Sequence, residues 1–106
     1  MRIYLSGPIT GREEDYIERF AAAQKEALEK HPGAELINPA KVMQHMGDHA
    51  QLTHQNYMDV SLTLMDMCTH VWLMDGWQDS AGCGTEVMYA LETGKEILYD
   101  PEDFRV

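Results

Sequence analysis

The chain has 106 residues and a formal net charge of −10, from 8 basic and 18 acidic residues. This length predicts a single domain over residues 1–106 with one modest core. The acidic balance argues against a polymeric nucleic acid or an anionic membrane as partner, because those surfaces need clustered lysine and arginine. It does not argue against a small phosphorylated ligand, which backbone N–H groups at a helix end can bind.

Two further observations concern the cellular compartment. The N-terminal sequence "MRIYLSGPITG" has an apolar run too short for a signal peptide, and no segment has the length of a membrane span. The two cysteines, Cys68 and Cys83, lack a CxxC spacing, which favours reduced, buried thiols. The sequence therefore predicts a cytoplasmic protein.

Four short apolar runs predict β-strands. The third, "HVWLM", is apolar throughout, as a strand covered on both faces should be. The four predicted strands cover residues 2–6, 34–38, 70–74 and 95–99.

Helices are predicted between these strands. The first runs from about Glu13 to Lys30 with acidic residues in its first turn. The stretch 40–46 is predicted to form one or two turns, and 47–55 a surface loop. The third helix runs from about Gln55 to Met67 and the fourth from about Gly82 to Thr93, where Gly94 stops it. The apolar face of the third helix is predicted to hold Tyr57, Val60, Leu64 and Met67.

Alternating strands and helices predict an α/β fold. The expected architecture is three-layer and doubly wound, flavodoxin- or Rossmann-like, with a parallel sheet of about four strands in the order 2-1-3-4. Ligands of such sheets bind at the carboxyl ends of the strands. Glycine, proline and polar residues gather at those ends, in "SGPITGR", "NPAK" and "MDGWQDSAGCGTE".

The segment "SAGCGTE" joins the third strand to the fourth helix. Gly82 and Gly84 would let a ligand approach the backbone closely, and Ser80 would bind a phosphate or ribose oxygen. The alternative is that Ser80 only caps the helix and the glycines form a tight turn. Glu86 is expected in the first turn, where the helix dipole favours a charged carboxylate suited to act as a nucleophile. The alternative is a capping-box glutamate on the surface.

Acidic residues supply further candidates. Asp75 and Asp79 flank Trp77, and an aspartate there would bind a base or protonate a leaving group. Trp77 would stack on a base or cover the edge of the core. On the third helix, Asp59 lies nearer the predicted ligand edge than Asp66, which is read as a solvated or structural residue.

Three histidines, His45, His49 and His54, raise the question of a metal site. Gly47 argues against a helix there, and no cysteine or paired carboxylate completes a ligand set. We therefore expect no metal and no cofactor.

Two segments together resemble the nucleoside 2-deoxyribosyltransferase superfamily, which includes the 2′-deoxynucleoside 5′-monophosphate N-glycosidases. "IYLSGPITG" is similar to the family's first strand and glycine-rich turn. "DGWQDSAGCGTEVMYALETGK" is similar to its strand, loop and nucleophile-bearing helix. The form "GWxxSxGxxxE" is especially similar to short uncharacterised phage and bacterial domains of this group.

The resemblance implies a set of site residues. Glu86 falls at the position of the family's nucleophile, Tyr4 matches a tyrosine near the sugar, and Ser80 matches a serine used for the 5′-phosphate. The expected catalytic residues are Glu86, Asp59 and Tyr4. The expected substrate-binding residues are Ser6, Gly7, Pro8, Ile9, Thr10, Arg12, Asp75, Trp77, Asp79, Ser80, Gly82 and Gly84.

The sequence also departs from the family. Leu62 stands where the family has its catalytic aspartate, and Asp59, about one turn earlier, would replace it only if the third helix is shifted. Thr10 stands where the monophosphate-cleaving branch has an arginine, and Arg12 is the nearest cation.

The predicted function is cleavage or transfer of the N-glycosidic bond of a deoxynucleoside or its 5′-monophosphate, through a covalent glycosyl-Glu86 intermediate. The alternatives are an inactive nucleotide-binding or sensor module on the same fold, and a structural or interaction protein. A homodimer or higher homo-oligomer is expected, through the third or fourth helix.

Overall fold

A computed structural model describes residues 1–9, 12, 14–46 and 53–99 of the chain. These described residues form four strands and four α-helices. In chain order the elements are β1 (Arg2–Ser6), α1 (Tyr16–Lys30), β2 (Glu35–Ile37), α2 (Pro39–Met46), α3 (His54–Asp66), β3 (His70–Leu73), a short 3-10 helix (Trp77–Asp79), α4 (Ala81–Glu92) and β4 (Glu96–Tyr99).

The four strands form one parallel sheet in the order β2-β1-β3-β4, which confirms the predicted fold class and strand order. β1 and β3 lie in the centre, and β3 is buried along most of its length. Because all four strands run the same way, their carboxyl ends share one edge of the sheet. The segments that follow β1 and β3 therefore meet there.

Helices cover both faces of the sheet, so the domain has three layers. Neighbouring residues of a strand point to opposite faces. Ile3 and Leu5 of β1 belong to a cluster with Phe20 and Ala27 of α1. Tyr4 lies on the other face, in a cluster with Met65 of α3 and Ala90 of α4. The face that Tyr4 occupies is the one that carries the polar cluster described below.

Two helices differ from the prediction in detail. α1 begins at Tyr16, after the N-cap residue Asp15, rather than at about Glu13, which lies outside the described residues. Glu18 is acidic and lies in its first turn, and the N-cap Asp15 is also acidic, in agreement with the predicted acidic start of the helix.

The predicted apolar face of α3 was wrong at Met67, which is exposed. Tyr57, Val60 and Leu64 are half-buried, and the fully buried residues of the helix are Met58, Ser61 and Met65. Because α3 has apolar residues on more than one side, helical spacing could not identify the buried one.

A capping box begins α3. The Thr53 side chain accepts a hydrogen bond from the Asn56 N–H, and the Asn56 side chain accepts one from the Thr53 N–H. The helix begins at His54, which the prediction had placed in the loop before it, while residues 47–52 of that loop lie outside the described part. None of the described helices is both long and apolar enough to span a membrane.

Candidate functional site

Glu86 is a buried carboxylate on the inner side of α4, with 6% of its surface exposed. It lies in the second turn, since α4 begins at Ala81. The prediction of a first-turn position was therefore wrong. Its burial also excludes the alternative of a capping-box glutamate on the surface.

Two hydroxyl groups of β1 hold this carboxylate. The Tyr4 phenol donates a hydrogen bond to Oε2 of Glu86 over 2.6 Å, and the Ser6 hydroxyl donates one to Oε1 over 2.6 Å. Tyr4 and Ser6 are two residues apart on the strand, so they point to the same face of the sheet. Each carboxylate oxygen thus has a donor of its own.

A buried serine of α3 also acts on this carboxylate. Ser61 is 5% exposed, and its hydroxyl favours the charged form of Glu86. Sequence reasoning missed Ser61, because a lone serine in a helix carries no motif. The cluster of Tyr4, Ser6 and Glu86, which we call the hydroxyl cluster, joins β1 to α4.

Burial controls the protonation of this cluster. It raises the pKa of Glu86 above its ordinary value, while hydrogen bonds from Ser6, Tyr4 and Ser61 act in the opposite direction. The predicted dominance of the helix dipole was therefore wrong, because that effect falls off within the first turn. Burial and the nearby Glu86 charge raise the pKa of Tyr4 well above its ordinary value, so Tyr4 stays a hydrogen-bond donor at neutral pH.

The start of α4 confirms one of the two predicted roles of Ser80. Its hydroxyl accepts a hydrogen bond from the Cys83 N–H over 3.2 Å, so Ser80 is the N-cap. Gly82 and Gly84 both lie inside the helix. A Cβ atom built on Gly84 would have no neighbour within 4 Å, so there is open space beside the first turn.

The loop between β3 and α4 packs against the loop after β1. Gly7 approaches Met74 so closely that an added Cβ would lie 2.6 Å from its Sδ atom. Gly76 has a φ of 89°, and a Cβ there would lie 3.6 Å from Pro8 and 3.8 Å from the Arg12 guanidinium. Pro8 is buried and Ile9 half-buried, whereas Thr10 lies outside the described residues.

A cation from α1 also contacts this loop. The Arg19 guanidinium donates a hydrogen bond to the Asp75 carbonyl oxygen over 3.3 Å. Arg12 is exposed at the same edge of the sheet, and its N–H donates to the Ile9 carbonyl oxygen over 2.9 Å. Two arginines of this acidic chain therefore lie beside the loop after β3.

Trp77 and the two flanking aspartates have different surroundings. Trp77 is half-buried and packs against the cluster that contains Tyr4 and Leu73, as expected for a residue that covers the core edge. Asp75 and Asp79 are exposed. The structure thus places all three near the carboxyl edge without bringing either carboxylate into the hydroxyl cluster.

Asp59 does not reach the hydroxyl cluster. It is exposed, and its carboxylate accepts a hydrogen bond from the Gln55 side chain over 2.8 Å. Ser61 is two residues further on, and residues at that spacing lie on different sides of a helix. Asp66 is exposed and accepts a hydrogen bond from the Tyr89 phenol, consistent with a surface role.

The described residues contain no group of three histidine, cysteine or acidic side chains placed to hold a metal ion. The side chains of His45, His49 and His54 lie outside what the structure describes. Cys68 and Cys83 are free and buried, as predicted, and burial raises the pKa of each thiol to about 11.

The fold and the hydroxyl cluster define a small parallel α/β domain with one buried glutamate beside the carboxyl edge of its sheet. The chain belongs to the DUF4406 family, described as a domain of unknown function, whose model matches residues 1–99. Comparisons with curated proteins and with solved structures give no match.

Proposed function

We propose that this domain binds a deoxynucleoside or its 5′-monophosphate and cleaves or transfers the N-glycosidic bond, with Glu86 as nucleophile. One observation carries the proposal: the Glu86 carboxylate is buried and receives one hydrogen bond of 2.6 Å on each oxygen, from Tyr4 and Ser6. Such a group is fixed in place and shielded from bulk water. These are properties that a nucleophile in covalent catalysis needs.

The chemistry is a double displacement. A Glu86 oxygen forms a bond to the anomeric carbon while the bond from that carbon to the base breaks, and the base leaves with the electron pair and takes a proton from water. Water then attacks the same carbon, the bond to Glu86 breaks, and a proton passes to solvent. Two inversions give retention of configuration. A second base in place of water gives transfer.

The hydrogen bonds leave the carboxylate able to react. A carboxylate has roughly four lone-pair directions, two on each oxygen. Tyr4 and Ser6 occupy one on each, so an oxygen can attack without losing its donor. The open space beside Gly84 and the arginines near Asp75 support a ligand with an anionic group at this edge.

The rival proposal is a nucleotide-binding module without catalytic activity. It is favoured by Leu62 at the position of the family's aspartate and by the exposed Asp59, which contacts Gln55 rather than Glu86. A binding module would use the same edge of the sheet. It would leave the N-glycosidic bond intact.

The test compares wild type with Glu86→Gln against a panel of deoxynucleosides and their 5′-monophosphates, with release of free base followed by chromatography. Glu92→Gln is the matched control, because Glu92 is exposed on the same helix. Base released by wild type and Glu92→Gln but not by Glu86→Gln supports the enzyme. After rapid quenching, mass spectrometry should also find a pentosyl adduct on wild type that Glu86→Gln lacks.

The same samples test the rival. No base release from any ligand, together with a rise in the melting temperature on adding a nucleotide, would support the binding module. No base release and no change in melting temperature would contradict both proposals. A cytoplasmic location stays a prediction of the same kind, since deoxynucleotides occur there.

Self-association is a further part of the proposal. Met88 and Leu91 of α4 are 58% and 59% exposed, and Met67 at the end of α3 is also exposed. Exposed apolar residues on neighbouring helices support a homodimer through this side of the domain. Light scattering of wild type and Met88→Glu measures it. A wild type that is monomeric at all concentrations would contradict it.

A further inference from the structure

A second polar cluster lies where the amino ends of the strands meet. Thr69 immediately precedes β3, His70 is the first residue of β3, and Glu96 is the first residue of β4. His70 and Glu96 are paired across the two strands. We call these three residues the amino-edge cluster. Because the strands are parallel, this edge is opposite to the one at which β1 ends with Ser6.

Two hydrogen bonds join the amino-edge cluster in series. Nε2 of His70 lies 3.0 Å from Oε2 of Glu96, and Nδ1 of His70 lies 2.6 Å from the Thr69 hydroxyl oxygen. One tautomer satisfies both contacts: the Nε2–H group donates to the carboxylate, and Nδ1 accepts from the hydroxyl. Such a series can activate a hydroxyl as a nucleophile, because the imidazole takes its proton and the carboxylate orients the imidazole.

The surroundings of the hydroxyl suit this role. Thr69 is exposed, whereas the His70 side chain behind it is only 17% exposed. The Arg2 N–H donates a hydrogen bond to the Thr69 hydroxyl oxygen over 3.2 Å, which stabilises negative charge on that oxygen as the proton leaves. The hydroxyl could also donate to the Arg2 carbonyl oxygen, but that contact is longer, at 3.3 Å. His70 is therefore the nearer acceptor for the proton.

Two cations bind the turn that leads into β3, in a chain whose net charge is −10. The Arg2 guanidinium donates to the Met67 carbonyl oxygen over 3.0 Å, and the Lys95 ammonium donates to the Cys68 carbonyl oxygen over 2.9 Å. Arg2 also forms an exposed ion pair with Glu35. Positive charge near an attacked carbonyl group stabilises the oxyanion that forms during acyl transfer.

We propose that Thr69 is the nucleophile of a second site, which hydrolyses small carboxylic esters. The Thr69 oxygen forms a bond to the ester carbonyl carbon while His70 takes the hydroxyl proton. The bond from that carbon to the alcohol oxygen then breaks, and the alcohol leaves with the electron pair and with the proton from His70. Water attacks the acyl carbon next. His70 takes a proton from the water and returns it to the Thr69 oxygen as the carboxylic acid leaves.

Glu96 is a positioning residue for His70 in this proposal, because its carboxylate accepts from the imidazole and does not meet the ester. The proposal is independent of the function proposed for Glu86, which lies in the hydroxyl cluster. Either can fail without the other.

The experiment follows release of p-nitrophenolate from p-nitrophenyl acetate by the full chain. Thr69→Val removes the hydroxyl and keeps the shape of the side chain, whereas Thr69→Ser keeps the hydroxyl. Thr63→Val is the matched control, because Thr63 is exposed on α3 and its hydroxyl donates to the Asp59 carbonyl oxygen. The melting temperature of each variant shows whether it is folded.

Wild type, Thr69→Ser and Thr63→Val are expected to release p-nitrophenolate above the background that exposed lysines give. The rate above background should fall at least about a hundredfold in Thr69→Val and in His70→Gln. In Glu96→Gln, kcat should fall about tenfold with KM unchanged, because a neutral hydrogen bond replaces a charge-assisted one. A purely structural role of Glu96 would change the melting temperature without this selective loss in kcat.

Equal rates in wild type and Thr69→Val would overturn the proposal, including the case in which the His70 imidazole attacks the ester directly. If Thr69→Val does not fold, wild type treated with phenylmethanesulfonyl fluoride decides. Mass spectrometry should find the sulfonyl group on Thr69 of the folded protein and not on Thr69 of protein unfolded in urea. A folded protein without this label on Thr69 would overturn the proposal.

Discussion

The Tyr4 phenol lies 2.6 Å from a Glu86 oxygen, although the two residues are separated by 82 positions in the chain. Tyr4 belongs to β1 and Glu86 to α4. Both are buried, and the hydrogen bond between them crosses from the sheet to the helix layer. The predictions below start from this contact.

Tyr4→Phe is expected to lower the free energy of unfolding by about 1–3 kcal/mol, because it leaves a buried carboxylate oxygen without its donor. Tyr89→Phe is the matched control, since it removes a phenol that donates to an exposed carboxylate, Asp66. The free energy of unfolding should fall less in Tyr89→Phe than in Tyr4→Phe. Urea unfolding at neutral pH measures this free energy for both variants, and equal decreases would contradict the importance of burial.

Ionisation of Glu86 should contribute to the pH dependence of the free energy of unfolding. Burial raises its pKa in the folded state above the ordinary value of 4.5, so the folded state holds the proton more tightly than the unfolded state. Its contribution to stability is therefore fully present below that ordinary value and is lost as the pH rises through the folded-state pKa.

The measurement is urea unfolding of wild type and Glu86→Gln at a series of pH values. The stability of wild type relative to the variant should fall from acid toward neutral pH. If the stability of wild type relative to Glu86→Gln instead rose from acid toward neutral pH, the folded state would have to lower the pKa of Glu86.

Gly7→Ala is expected to destabilise the fold by about 1–3 kcal/mol, the usual effect of overpacking. The added Cβ would lie 2.6 Å from the Sδ atom of Met74 and 3.0 Å from its Cβ, and the second of these atoms cannot swing away. Thermal unfolding measures the change. A melting temperature equal to that of wild type would show that the two loops can move apart at little cost in free energy.

Gly84→Ala should separate folding from binding. A Cβ there meets no atom within 4 Å, and alanine favours a helix over glycine by up to about 1 kcal/mol, so stability should stay or rise. If a ligand approaches the backbone at the first turn of α4, its affinity should fall. Titration calorimetry with a nucleotide that wild type binds checks this, and unchanged affinity would place the ligand elsewhere.

Both thiols are expected to be unreactive in the folded protein. Burial raises the pKa of Cys68 and Cys83 to about 11, so at pH 8 very little thiolate is present. Reaction with a disulfide reagent should be at least about a hundredfold slower than after denaturation. If one thiol per molecule of folded protein reacted fast with the reagent, the burial of that cysteine would be contradicted.

The fold was predictable because its signals are regular. Apolar runs separated by amphipathic stretches indicated the four strands and the parallel sheet, and Gly94, with a φ of 74°, ended α4 where expected. The short 3-10 helix at Trp77–Asp79 was not predicted, since so short a turn has no period. The buried side of α3 was misplaced, because a helix with apolar residues on several sides does not indicate which of them meets the core.

The site was predictable only in part. The resemblance to a known family pointed to Glu86, Tyr4 and Ser6, which the structure brings together, although Ser6 had been expected to bind substrate rather than Glu86. Ser61 was missed, since its burial depends on how α3 packs on the sheet. The predicted direction of the pKa shift of Glu86 was wrong for a related reason. The position of a residue in a helix can be predicted from sequence, whereas the larger effect of burial is known only once the layers are assembled.

The central position of β1 has a consequence for biosynthesis. This strand pairs with β2 and β3, and it carries Tyr4 and Ser6, yet it leaves the ribosome before Glu86, which is separated from Tyr4 by 82 positions. Until α4 has been synthesised, the two hydroxyls therefore have no carboxylate partner. The sheet depends on contacts between distant parts of the chain, a topology that folds slowly. The hydrogen bond between Tyr4 and Glu86 can accordingly form only after α4 has emerged.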